Sequence, residues 1–207
     1  MKLYTFEFAP NPQRLHLFMK LKGIEIPSQE INLGEPQEQF SPDFKSINPS
    51  CTVPCLVLDD GQILSEVIGI CSYLEDLYPD RALMGNDSLE RAQVISWDHR
   101  IYLEGMSPVA EILRNGNKAF AGRAMPGALA VEQIPELIDR GVKRLDAFFD
   151  IADAALEARE FLVGSGPSLA DIDLFVLVNF AGWTKTSIPE HCTRLASHHK
   201  RMAVLLG

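Results

Sequence analysis

The sequence predicts an α/β domain followed by an all-α domain: a β-α-β-α-β-β-α unit over residues 1–79, then a helical bundle over residues 88–207. Three observations carry this. Short β-forming runs alternate with helix-spaced apolar residues up to Pro79. Asp60-Gly61, a strong two-residue hairpin signal, joins two of those runs. Beyond Ser88 no strand-like alternation appears, only apolar residues at helical spacing.

Lys2 to Phe6 is rich in β-formers and is followed by the breakers Ala-Pro-Asn-Pro, so it reads as a buried strand. Asn11 fits an N-cap with Pro12 at the first helical position, and Leu15, Phe18, Met19 and Lys22 are spaced for a helix that Gly23 ends. Glu25 to Leu33 reads as a second strand, and the polar pieces from 34 to 43 as a loop with a short helix before Asn48. Pro54 to Leu58 and Gln62 to Leu64 form the hairpin around Asp60-Gly61. Ser65 then caps a helix that buries Val67, Ile70, Cys71, Leu74 and Leu77 and stops at Pro79. Strand-helix-strand requires a parallel pair and the hairpin an antiparallel one, so the four strands form one mixed sheet.

The polar stretch Asp80 to Ser88 is the expected boundary. After it the chain reads as a long helix from Asn86 to about Asn115, bent at Pro108, and a second from Ala128 to Glu157, disturbed at Pro135. Ser168-Leu-Ala-Asp171 has capping-box spacing at the head of an apolar run to Phe180, and a last helix covers Glu190 to Leu205.

With 46% hydrophobic and 23% charged residues the chain buries a core, which excludes disordered and collagen-like classes. The start Met-Lys-Leu-Tyr-Thr-Phe-Glu lacks the apolar core of an export signal, and no apolar run reaches the length of a membrane span. Four cysteines, none in a Cys-x-x-Cys pair, fit a reducing, cytoplasmic setting. His191, His198 and His199 lie near Cys192 in sequence, but their spacing matches no zinc site, so no metal is expected. A net charge of −9 argues against nucleic acid and anionic membrane surfaces as partners. An anionic ligand would have to be held by local groups, such as a helix N-terminus.

Three features of the first domain can meet at one sheet edge: the loop at 9–14, the Val53-Pro54 peptide, and Glu66-Val67 at the head of a helix. Taken singly, each also fits an ordinary role, Asn11 as a cap, Pro54 as a strand start and Glu66 as a partner of the helix dipole. Together they resemble the glutathione-binding domain of the cytosolic glutathione transferase family. The matching text is Met-Lys-Leu-Tyr at the start, Ala-Pro-Asn-Pro-Gln-Arg at 9–14, Lys-Gly-Ile at 22–24, Asn-Pro-Ser-Cys-Thr-Val-Pro at 48–54, Leu-Asp-Asp-Gly at 58–61 and Leu-Ser-Glu-Val-Ile-Gly-Ile-Cys-Ser-Tyr-Leu-Glu at 64–75. Arg91-Ala92, Trp97 and Ser168-Leu-Ala-Asp171 extend the resemblance into the second domain.

The resemblance implies a thioredoxin-like first domain in which the Val53-Pro54 bond is cis and Val53 offers its main chain to the cysteinyl unit of glutathione, beside Thr52. It implies that Glu66 pairs with the γ-glutamyl ammonium and that the Val67 N–H takes the γ-glutamyl carboxylate. The chemistry would be activation of the bound thiol. With a reference pKa of about 8.5, about 3% is ionised at pH 7, and a drop of about two units raises this to roughly 75% for ~2.7 kcal/mol. Phe8 and Ala9 stand where a hydroxyl residue often activates the sulfur, which leaves Asn11 as the nearest polar candidate. Val67 and Cys51 stand where a hydroxyl residue and a glycine are usual.

The resemblance further implies an electrophile pocket that includes Tyr102 and Met106, glutathione as co-substrate, no metal, and a homodimer with Asp98 or Arg100 facing the partner. The leading expectation is conjugation of glutathione to small electrophiles in detoxification. A glutathione-dependent disulfide or peroxide reductase fits the same residues, as does a non-catalytic dimeric binding protein that retains the fold.

Overall fold

The computed structural model describes residues 1–207, which divide into two compact units. The first comprises Met1–Arg81 with Pro126–Leu129, and the second Ala82–Met125 with Ala130–Gly207.

In the first unit the elements run β1 (Lys2–Thr5), α1 (Pro10–Lys22), β2 (Ser28–Glu30), α2 (Pro42–Ile47), β3 (Cys55–Val57), β4 (Ile63–Leu64) and α3 (Val67–Leu77). The sheet order is β2-β1-β3-β4, with β2 parallel to β1 and the other pairs antiparallel. This is the mixed four-stranded sheet expected from the strand-helix-strand-hairpin order. Side-chain alternation along β1 sorts the layers. Thr5 Oγ1 lies 2.9 Å from His16 Nε2 of α1, which puts α1 on the Leu3/Thr5 face, and α3 packs beside α1. On the other face Phe44 of α2 joins Ile31, Val53 and Cys55, flanked by Tyr4 and Phe6. The amine of Lys22, buried at the end of α1, donates to Glu75 of α3 at 2.7 Å and to the Asp80 and Arg81 carbonyls at 3.0 Å, tying the helix pair to the chain's exit.

Several local expectations are corrected. Asn11 is not the N-cap of α1. The helix starts two residues earlier, Pro10 takes the first helical position, and Ala9 is the extended flanking residue. The Ala9 N–H bonds to the Phe6 carbonyl, so the turn out of β1 fixes the start before Asn11 can act. β2 is three residues long rather than nine, because Pro27 brings no donor and the strand is an exposed sheet edge. Glu66, not Ser65, flanks the start of α3.

The second unit contains α4 (Ser88–Arg100), α5 (Ser107–Gly116), α6 (Glu136–Ala155), α7 (Leu169–Gly182) and α8 (Thr193–Leu206). Asp87 caps α4 by accepting from the Leu89 and Glu90 N–H groups at 2.9 and 2.8 Å. The irregularity expected at Pro108 lies one turn earlier, as a π-helical turn over Ile101–Met106. Pro108 has no N–H to give the preceding turn, and the wider turn absorbs the missing bond. Gly105 sits in that turn because a Cβ there would come within 2.4 Å of a Leu177 methyl on α7. The helix expected from Ala128 begins at Glu136, and the last helix begins at Thr193 rather than Glu190. Asp98 is buried within the chain, which removes it as a surface contact, while Arg100 pairs with Glu104 and stacks on Trp97. No helix is long and apolar enough to cross a membrane.

Asp171 organises the second unit. Fully buried in the first turn of α7, its carboxylate accepts from the Leu162 N–H at 2.8 Å, the Ser168 N–H at 3.0 Å and the Ser168 hydroxyl at 2.7 Å, and lies 2.8 Å from His198 Nε2 of α8. The capping box read from Ser168 to Asp171 is thus present and extends across three segments. Replacing Asp171 by alanine strands these buried donors and should cost about 3–5 kcal/mol. Urea unfolding followed by helical circular dichroism measures it, and a loss below about 1 kcal/mol would contradict the assignment.

All four cysteines are free and buried. A thiol reagent at neutral pH should therefore label the folded protein slowly and find all four thiols only after unfolding. Burial pushes the Cys55 thiol from 9.0 up to about 11. The folded value lies above the unfolded one, so its contribution holds in full below pH 9.0 and is lost as pH rises towards about 11. Across that window the wild type should lose more stability than Cys55→Ala.

Candidate functional site

Ladder register decides what shares an edge. Tyr4 pairs with Cys55 and Leu56 with Leu64, with β3 antiparallel to both neighbours. The chain leaving β1, the chain entering β3 and the chain leaving β4 therefore emerge at the same end of the sheet. Residues 6–11, Val53-Pro54 and Glu66-Val67 lie just beyond the last rungs, across three adjacent strands.

At the β1 end, α1 has few donors to offer. Pro10 and Pro12 have no N–H, and the Gln13 N–H is already given to the Ala9 carbonyl at 3.0 Å. The first turn's remaining main-chain donor is that of Asn11. The Asn11 side-chain oxygen accepts from Arg14 Nη1 at 3.1 Å, and Arg14 is buried. This fixes the amide with its Nδ2 donors on the side away from Arg14. Phe8 is 63% exposed beside Phe6, a large apolar surface on the same loop.

At the β3 entry the Val53-Pro54 bond is cis, as the resemblance implied. Val53 lies outside the ladder, which begins at Cys55, while its side chain is buried with Ile31, Phe44 and Cys55. The side chain is thus anchored inward and the main chain stands at the edge. Buried Asn48 builds the preceding turn: its Nδ2 donates to the Thr52 carbonyl at 2.8 Å, and its Oδ1 accepts from the Ser50 N–H at 3.1 Å. Cys51 holds φ at +57°, a left-handed conformation that favours glycine, so a Cβ there costs about 1–2 kcal/mol.

At the head of α3, Glu66 is extended and exposed, and its side chain makes no capping bond. The first helical bond runs from Ile70 to the Glu66 carbonyl at 2.9 Å, so Val67, Ile68 and Gly69 precede the intrahelical ladder and their amides form the positive end of the helix. A carboxylate beside a cluster of amides suits a zwitterionic group, ammonium on the one and carboxylate on the other.

Of the other expected residues, Tyr102 is 46% exposed and Met106 is 4% exposed, both on the π-helical turn of the helical unit. Sequence reading missed two parts of the edge. Asn48 was readable in principle, as an asparagine with the two-residue reach of an Asx turn. Gly127 was not: with φ at +95°, it lies so close to the 48–54 turn that a Cβ would sit 3.2 Å from the Ser50 carbonyl, although the sequence reading assigned the following residues to a helix. His16, behind the edge, has its pKa lowered by burial, against the raising influence of Glu7 and Glu30.

Comparison with known proteins gives a consistent answer. The chain is 28% identical over 207 residues to glutathione S-transferase 2 of Saccharomyces cerevisiae, covering 98% of this chain and 85% of that one. It is 36% identical over 94 residues to the maleylacetoacetate isomerase of Pseudomonas aeruginosa, covering 45% and 44% of the two chains. The crystal structure of a glutathione S-transferase domain-containing protein from Marinobacter aquaeolei VT8 superposes with a TM-score of 0.89 at 26% identity, over 98% of this chain and 97% of that one. Residues 8–77 match the glutathione S-transferase N-terminal domain and residues 135–199 the C-terminal domain, together well over half of the sequence. With both domain families matched in order and a like fold over nearly the full length, the chain belongs to the glutathione S-transferase family.

Proposed function

We propose that the protein conjugates the thiolate of glutathione to small electrophiles, with Glu66, Val67, Val53, Thr52 and Pro54 forming the glutathione site and Asn11 assisting the sulfur. Family membership supports a glutathione-dependent function in general. The observation that carries the finer reading is the convergence of three segments on one sheet edge. The outer two of the three strands stand two spacings apart, roughly 10 Å, which is also the reach of about three extended residues. A tripeptide can thus lie across the edge with its γ-glutamyl end at α3, its cysteinyl unit on the Val53 main chain and its sulfur towards Asn11.

In this pose the Val53 main chain acts as a short added rung, and the α3 amides receive the carboxylate. The sulfur meets the Asn11 N–H and Nδ2. Two hydrogen bonds to a charged acceptor, at about 1.5–3 kcal/mol each, cover the ~2.7 kcal/mol that lowers the thiol pKa by about two units. Residues 1–79 would serve as the glutathione-binding domain and residues 88–207 as the domain supplying electrophile contacts such as Tyr102 and Met106. No metal enters this chemistry. The exposed Leu89, Ile95 and Leu103 of the helical unit support a homodimer, and four free thiols support a reducing cytoplasmic setting.

Calorimetry with glutathione, followed by conjugation assays against a chlorinated nitroarene and an isothiocyanate, tests the proposal. Rates equal to buffer across a broad electrophile panel would reject conjugation, and turnover of a hydroxyethyl disulfide alone would favour reduction. Failure to bind glutathione with the fold intact would point to a non-catalytic descendant.

The variants separate the roles. Glu66→Gln removes a charged partner worth about 1.5–3 kcal/mol, so glutathione binding should weaken more than about tenfold with thermal stability kept. Val67→Ser restores a hydroxyl beside the carboxylate and should tighten binding by roughly two- to tenfold. In Asn11→Ala affinity should change little, while the ultraviolet thiolate band of bound glutathione at neutral pH falls. An unchanged band would remove Asn11 from the activating role.

A further inference from the structure

The helical unit holds a second group of chemically capable side chains, separate from the glutathione edge. Asp150, near the end of α6, and His191 and Cys192, at the start of α8, bring their donor atoms within 4.8 Å of one another. Both α8-side donors converge on a single oxygen: Asp150 Oδ1 lies 2.6 Å from His191 Nε2 and 3.5 Å from Cys192 Sγ. The carboxylate and imidazole are 59% and 72% exposed, whereas Cys192 is buried behind them. The arrangement is a set of sulfur, nitrogen and oxygen donors, two of them exposed to solvent and the sulfur buried.

The donor set is diagnostic. A thiolate, an imidazole and a carboxylate together suit a borderline ion of tetrahedral preference, which among common ions is zinc. With Zn–S near 2.3 Å and Zn–O near 2.1 Å, tetrahedral angles put sulfur and oxygen about 3.6 Å apart. The observed Sγ to Oδ1 separation is 3.5 Å. Oxygen and nitrogen would stand about 3.3 Å apart around the same ion, so the exposed His191 ring has to withdraw by less than an ångström from its present hydrogen bond.

The backbone around the site is already fixed by other groups. Asp153, one turn along α6, accepts from the Arg194 and Leu195 N–H groups at 2.8 and 2.9 Å and from Arg194 Nη1 at 3.1 Å. It supplies the cap that Cys192 does not. The donors therefore stand on two elements held together without the ion, and metal binding does not have to order the chain.

We propose that Asp150, His191 and Cys192 form a three-ligand zinc site with water in the fourth position. On binding, the Cys192 S–H bond gives way to an S–Zn bond and the proton passes to the buffer, so each zinc bound releases one proton. The ion clamps the start of α8 to α6 and raises resistance to heat.

Zinc titration by calorimetry on the metal-stripped, untagged protein tests this, with cobalt(II) as the spectroscopic probe. One equivalent should bind, with a thiolate-to-cobalt charge-transfer band and a raised melting temperature. His191→Ala and Asp150→Asn alter exposed side chains and leave the fold intact; each should weaken zinc by roughly tenfold or more. Cys192→Ala should abolish the charge-transfer band. A cobalt complex without that band, or equal zinc affinity in wild type and His191→Ala, would overturn the site and assign any uptake to other, exposed groups.

Discussion

The register of three strands is the constraint on which the first unit depends. Because β3 runs antiparallel to both β1 and β4, with Tyr4 opposite Cys55 and Leu56 opposite Leu64, three chain segments far apart in sequence are delivered to one edge. A one-residue slip would turn Val53 and Cys55 out of the cluster they form with Ile31 and Phe44. It would also reverse which atoms of Val53 stand at the edge. Packing on the α2 face therefore specifies the main-chain rung on which the proposed ligand would lie. Core and site are set by the same pairing.

The two helices that end at this edge differ in what they can hold. α3 begins with consecutive amides and a carboxylate free of any capping bond, an arrangement that attracts a zwitterion despite a net charge of −9. α1 begins with Pro10 and Pro12, which strip its first turn of donors and leave Asn11 as its main polar resource. A ligand with a charged end and a soft, weakly acidic end would lie across them in one orientation only. That polarity comes from where two prolines fall.

Much of this was legible in the sequence. The Asp60-Gly61 turn, the Gly23 helix stop and the Ser168 to Asp171 cap depend on local chemistry, and the structure has each of them. The hairpin and the first strand fixed the sheet edge for the same reason. What local chemistry could not settle was competition. Asn11 is the better cap by propensity, but the Phe6-to-Ala9 turn starts the helix at Pro10. Pro108 announces a break, but the turn widens one turn earlier, over Ile101–Met106, where Gly105 packs closely against Leu177. Gly127 beside Ser50, and Asp150 beside His191 and Cys192, are meetings of residues tens of positions apart, for which the sequence holds no local signal.

At the sulfur end of the proposed site the donors differ in kind from a single hydroxyl. A hydroxyl at position 8 or 9 would give one strong donor, and neither Phe8 nor Ala9 has one. Asn11 offers a backbone and a side-chain donor from one residue, and Arg14 holds the amide by its oxygen at 3.1 Å. Ordering a free asparagine would cost part of what its bond returns, since fixing a polar side chain consumes up to about 1–2 kcal/mol of rotamer freedom. Here the buried guanidinium makes that ordering part of folding, so the cost does not recur at binding. A pair of preset, moderate donors can therefore replace one strong hydroxyl, on condition that Arg14 keeps the amide in place.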